Sequence, residues 1–179
     1  MSQHRSTLIE LIRTEVAGPE TADWADLDLR HLLCTGRRLR TAALVLAEWI
    51  ELHVTEIPSA IVCPFDDEML GHVVVSRAMT SMKWISVTDG ATTGGDLTEQ
   101  DATIILAGMV TTGGSVRYVY DMVVEAGASV LAIIALIDRA GIAQGFFESI
   151  GVDYWPVLTH YDLDLPRWCG GIEDRRWKV

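Results

Sequence analysis

Five small or hydroxylated residues in a row, Thr111-Thr112-Gly113-Gly114-Ser115, are the clearest chemical feature of the chain. Small residues let a backbone turn tightly enough for consecutive N–H groups to point at one anion. A helix starting there adds partial positive charge, and hydroxyls add donors, so this is the chemistry of a monophosphate cradle. An ordinary glycine-rich connection has the same composition. A near copy, Thr92-Thr93-Gly94-Gly95, lacks an equally good helix behind it. A second feature is Asp66-Asp67-Glu68, just after Cys63-Pro64-Phe65. Three acids there read as the charged first turn of a helix, which its dipole favours, or as a relocated metal site. His31, His53, His72 and His160 have no ligand spacing, so no metal site is expected. Cys63 reads as a small buried residue rather than a nucleophile.

These residues need elements to hold them. Residues 60–63, 103–110 and 130–137 are continuous apolar runs, the pattern of strands buried on both faces. Residues 83–87 and 154–158 read as further strands, the last interrupted by Pro156. Between them, helical spacing is expected over 68–79, from about 115 to a stop at Gly127, and over 142–150. Upstream, Thr7 with Glu10 suggests a capping box for a helix ended by Gly18-Pro19, and 39–50 repeat as a longer helix. Residues 88–101, rich in Gly, Thr and Asp, read as a long loop. Strands alternating with helices predict an α/β fold: a doubly wound, mainly parallel sheet flanked by helices. The chain reads as one domain over 1–179, with N-terminal helices and a hood over about 1–58 and the core sheet over about 59–165.

Composition narrows the function classes. Fourteen Lys+Arg against 25 Asp+Glu give a formal charge of −11, which argues against nucleic acid as a partner. A small anion needs only a local positive field. Three separated cysteines, Cys34, Cys63 and Cys169, fit reduced thiols rather than a disulfide framework. No apolar run approaches the ~18 residues of a membrane span, and a soluble cytoplasmic protein is expected. A dinucleotide-binding reading would need a GxGxxG after the first strand, which the sequence lacks.

From about residue 103 to 163 the chain resembles the C-terminal half of a type I phosphoribosyltransferase of the orotate group. The family's motif for phosphoribosyl pyrophosphate (PRPP) is two hydrophobic residues, two acids, two hydrophobic residues and Thr-Thr-Gly-Gly-Ser. Here it reads Ile105-Leu106-Ala107-Gly108-Met109-Val110-Thr111-Thr112-Gly113-Gly114-Ser115. Glu125-Ala126-Gly127-Ala128-Ser129-Val130 and Leu136-Ile137-Asp138-Arg139 also match. The resemblance implies phosphate binding at residues 111–115, with Arg139 reaching the carboxylate of the base. It implies a hood at Thr35-Gly36-Arg37 and a catalytic role for Lys83 as the lysine of a mobile basic loop. It also implies a homodimer, with magnesium as cofactor if the protein is active.

The departures are as informative. The acids that relatives use to hold the ribose hydroxyls are replaced by Ala107 and Gly108, and losing one group that stabilises developing charge commonly costs about 3–4 kcal/mol. The pyrophosphate loop, normally glycine-rich, is Cys63-Pro64-Phe65-Asp66-Asp67-Glu68, and its acids would repel a polyanion. Met82 and Ser86 stand where basic neighbours of Lys83 are expected. The expectation is a protein of pyrimidine-metabolism ancestry that binds a phosphorylated ribose or nucleoside monophosphate but has lost most transferase activity, as a sensor, scaffold or silent subunit. The alternative is an active orotate-type phosphoribosyltransferase.

Overall fold

The apolar runs of the middle of the chain become the middle of one sheet in the computed structural model, which describes residues 3–16, 29–78 and 81–164. The strands are β1 (Ala60–Pro64), β2 (Lys83–Thr88), β3 (Ala91–Thr93), β4 (Ala102–Val110), β5 (Ser129–Asp138) and β6 (Tyr154–Thr159). Their spatial order is β3-β2-β1-β4-β5-β6. Every pairing is parallel except the β2–β3 hairpin. The expected doubly wound, mainly parallel sheet is therefore present. Pro156 is tolerated because β6 lies at an edge, where one side of the strand needs no ladder donor.

Helices cover both faces. On one lie α1 (Gln3–Val16), α3 (Gly36–His53) and α4 (Glu68–Ala78). There Leu8, Ile12, Ala42, Leu46 and Val74 pack on Ile61, Ile104, Leu106 and Ile134. On the other, α5 (Gly114–Glu125) and α6 (Ala143–Ser149) place Val116, Val119, Val123 and Phe147 on Val62, Ile105, Ala107 and Ile133. Residues 104–107 alternate between the two cores, as the period of a strand requires. That double burial explains why these strands read as unbroken apolar runs. A short α2 (Leu29–Leu32) lies ahead of α3, whose first turn is capped by the Thr35 side chain.

Two expectations need correction. The Thr7–Glu10 capping box is not used, because α1 already begins at Gln3 and the Thr7 hydroxyl donates to the Gln3 carbonyl at 3.0 Å. The long loop over 88–101 contains a hairpin: Asp89 and Gly90 both take positive φ, 45° and 79°, and join β2 to β3. Asp-Gly is a strong signal for this tight turn. Gly94, with φ 86°, packs under Trp84, so the near copy at 92–95 closes the hairpin instead of opening a helix. Gly18-Pro19, Met79, Cys169 and the tail lie outside the described residues.

Candidate functional site

Strand β1 is followed in sequence by β2 on one side, and the chain then crosses to β4 on the other. The crevice outside the carboxyl ends of β1 and β4 is thus the point where the winding reverses, the usual ligand position in such sheets. Here the crevice opens early. β1 and β4 pair only as far as Val62↔Ile105, whereas β4 continues beside β5 to Val110↔Asp138. One wall is the single 3-10 turn Phe65–Asp67 that leads into α4. The other is residues 111–113, which lead into α5.

The second wall has the properties of an anion cradle. Gly113 precedes α5 with φ 82° and ψ 6°, and no side chain caps the helix. Its first α-helical bond runs from the Arg117 N–H to the Gly113 carbonyl, 2.8 Å. The N–H groups of Gly114, Ser115 and Val116 come before it, and such groups have no partner within a helix. Thr112, Gly114 and Ser115 are exposed, with no acid in the first turn. Gly113 is buried, and a Cβ there would stand 3.2 Å from the Ala143 Cβ and 3.5 Å from the Phe147 ring. Glycine therefore serves both the turn and the close approach of α6.

Arg139 sits beside this cradle. Its N–H donates to the Val110 carbonyl at 2.9 Å, which locks the end of β5 to the end of β4. Asp138, by contrast, builds the turn: its buried carboxylate accepts from the N–H groups of Ala140 and Gly141 and from the Tyr154 hydroxyl. Residues 111–115 and Arg139 are thus brought together.

Lys83 is not. It begins β2 opposite Ala60, which also pairs Thr103, at the amino end of the sheet. From Thr103 to Thr111 is about 26 Å of strand. Lys83 donates to Asp101 at 2.7 Å and to the Asp96 carbonyl at 3.3 Å. Burial pushes the Asp101 carboxyl up, but Lys83, Ser59 and Thr98 outweigh it and hold the group well below the ordinary range. The carboxyl end of β2, which does face the crevice, carries Thr88 and Asp89 instead of a base.

The residue that gains most from the structure is Asp67. A Cβ built on Gly108 would overlap Asp67 Oδ1 and Leu29 Cδ2. The Asp67 carboxylate accepts from the Gly108 N–H, and burial pushes its pKa up to about 6, helped by Asp66 and opposed by that N–H and by Arg30. Arg30 forms an ion pair with Asp66. The sequence held one clue: a lone glycine inside a buried strand marks close approach of something else. Cys63 is buried in the core, its thiol pushed up mainly by burial.

Among the described residues no group of three or more His, Cys, Asp and Glu is placed to hold a metal ion. Asp66 is engaged by Arg30, and Asp67 by Gly108. The residues present do not form a protein cage for magnesium, which commonly binds through a ligand's own phosphate oxygens.

The fold is that of the type I phosphoribosyltransferases. The chain has the fold of Mycobacterium tuberculosis orotate phosphoribosyltransferase in complex with inorganic phosphate, with a TM-score of 0.78 and 20% identity over 92% of this chain and 100% of that one. A phosphoribosyltransferase from Corynebacterium diphtheriae gives 0.78 and 21% over the same shares. In sequence, the chain is similar to orotate phosphoribosyltransferase of Carboxydothermus hydrogenoformans, 39% identical over 70 residues. Those residues are 38% of this chain and 35% of the relative. The matched stretch therefore spans about a third of that relative's length. No family model matches the chain.

Proposed function

We propose that the chain binds a phosphorylated ribose or nucleoside monophosphate and transfers phosphoribose poorly. The observation that carries the binding half is the cradle: exposed residues around the uncapped start of α5, with Arg139 alongside. Phosphate would take the N–H groups and hydroxyls of residues 111–115, and Arg139 would meet an acidic base. The similarity to orotate phosphoribosyltransferases supports this ligand class.

Three features support weak transfer. Ala107 is turned into the core under α5 and has no side-chain acceptor. The turn after β1 carries Asp66, Asp67 and Glu68 where pyrophosphate would have to lie. No lysine or arginine stands at the carboxyl end of β2. The protein would then serve as a sensor, scaffold or silent subunit. A second copy of the chain is its proposed partner, with sedimentation as the check. No helix among the described residues is long and apolar enough to cross a membrane.

A second reading, an active orotate-type phosphoribosyltransferase, is favoured by one observation: a carboxylate does stand at Gly108, supplied by Asp67. A steady-state assay with PRPP, orotate and magnesium separates the two. Turnover below ~0.01 per second together with measurable ribose 5-phosphate binding supports the first reading. Turnover of ~1–10³ per second, the usual enzyme range, overturns it.

A further inference from the structure

We infer that Asp67 is the specificity residue of the crevice: its carboxylate, held in the room left by Gly108, accepts a hydrogen bond from a hydroxyl of the ligand whose phosphate lies in the cradle. This rests on the phosphate-binding reading above and adds a substrate class, a phosphomonoester carrying a hydroxyl donor near its phosphate.

The argument starts at the split between β1 and β4. Beyond Val62↔Ile105 the two strands no longer pair, so β4 backbone groups on that side lose their ladder partners. A buried N–H left there needs an acceptor. The Asp67 carboxylate is that acceptor for Gly108, and it can lie there only because residue 108 has no side chain. Glycine at 108 and acid at 67 are therefore a matched pair. An ionised carboxylate offers about four lone-pair sites, and the Gly108 N–H uses one.

Distance fits the role. Gly108 precedes Thr111 by about 10 Å of strand, a gap that a short sugar phosphate with its hydrogen bonds at both ends can bridge. Asp67 is only half-buried. The charged groups around Asp67 are Asp66 and Glu68 on its own segment and Arg30 from α2, with the Cys63 thiol on β1.

Titration calorimetry at pH 8 with inorganic phosphate and with ribose 5-phosphate tests the inference. The wild-type chain is expected to bind ribose 5-phosphate at least tenfold more tightly than phosphate. Asp67→Asn keeps the shape and the acceptor for Gly108 and should bring the two affinities within about threefold, with phosphate unchanged. Asp67→Gly and Leu29→Ala combined with Gly108→Asp clear the room at 108 and move the carboxylate from the turn to the strand, and should restore most of the preference, a rescue that a purely structural role would not give. A sugar preference that survives Asp67→Asn overturns the inference while leaving the cradle intact. Equal wild-type affinities overturn it as well. Failure of the wild-type chain to bind phosphate at all removes the phosphate-binding reading, and this inference with it.

Discussion

Lys83 Nζ stands 2.7 Å from Asp101 Oδ2, with the lysine side chain 40% exposed and the aspartate 5%. The pair ties the start of β2 to the residue just before β4, beneath the Ser59 hydroxyl that also donates to Asp101. A lysine so engaged at the amino end of the sheet is a fastening for the fold. Lys83→Met should cost about 1–3 kcal/mol, less than for a fully buried pair because one partner meets water. Phosphate affinity should not change. Thermal melts and calorimetry on the same preparation check both halves, and lost phosphate binding without lost stability would restore Lys83 to the site.

The same carboxylate sets an acid limit. Asp101 titrates below its unfolded value in the folded chain, so its stabilisation is complete above about pH 4 and disappears as the pH falls further. Asp101→Asn should flatten the acid limb of the unfolding curve. Urea midpoints measured from pH 2 to 5 decide it.

Asp67 has the opposite sign. Its folded pKa, about 6, lies above the usual 3.8, so the folded state holds the proton more tightly than the unfolded one. Stability is therefore favoured below pH 4 and lost as pH rises from about 4 to 6. Asp67→Asn should remove that loss. Its advantage over wild type should grow across the window to about 1–2 kcal/mol, a figure reduced for partial exposure.

The cradle predicts a contrast between adjacent glycines. Gly113 takes a positive φ and has the Ala143 Cβ 3.2 Å from where its own would be, whereas a Cβ on Gly114 meets only Thr112 Oγ1 at 3.8 Å. Gly113→Val should abolish phosphate binding and destabilise the chain by about 2 kcal/mol or more. Gly114→Ala should fold normally and weaken phosphate binding by less than tenfold. Equal behaviour of the two would mean that the N-terminus of α5 is not the anion site.

What the sequence disclosed follows from physical range. Buried strands such as 103–110 and 130–137, and the loop at 111–115, are local patterns in which each residue's neighbours in sequence settle the outcome. Their structure agrees with the reading almost to the residue. Residue type says nothing about which end of a strand faces the crevice, so the position of Lys83 follows only from its register with Ala60. From sequence alone Asp67 reads as part of a helix's first acidic turn, because its partner, Gly108, is distant in sequence and is defined by a missing side chain. The hairpin at Asp89-Gly90 was different: its signal was local, but it was outweighed by the length of the Gly-rich stretch around it.

Placing acids at both 107 and 108 gives the sharpest test of how the crevice is built. Ala107→Asp places a carboxylate in the core beside Val116 and Ile133, on the face covered by α5. Burial of an unpaired charge there is costly. Gly108→Asp drives a side chain into Asp67 and Leu29, which already occupy its room. The double variant should lose at least about 3 kcal/mol of stability and gain no turnover with PRPP and orotate. Gly108→Asp with Leu29→Ala and Asp67→Gly should recover the part of that loss due to overlap, because both colliding side chains are gone. Melting temperatures of the single, double and triple variants, read beside their turnover, separate overlap from charge. If Gly108→Asp alone is as stable as wild type, the turn carrying Asp67 moves freely, and the matched pair argued for the crevice does not exist.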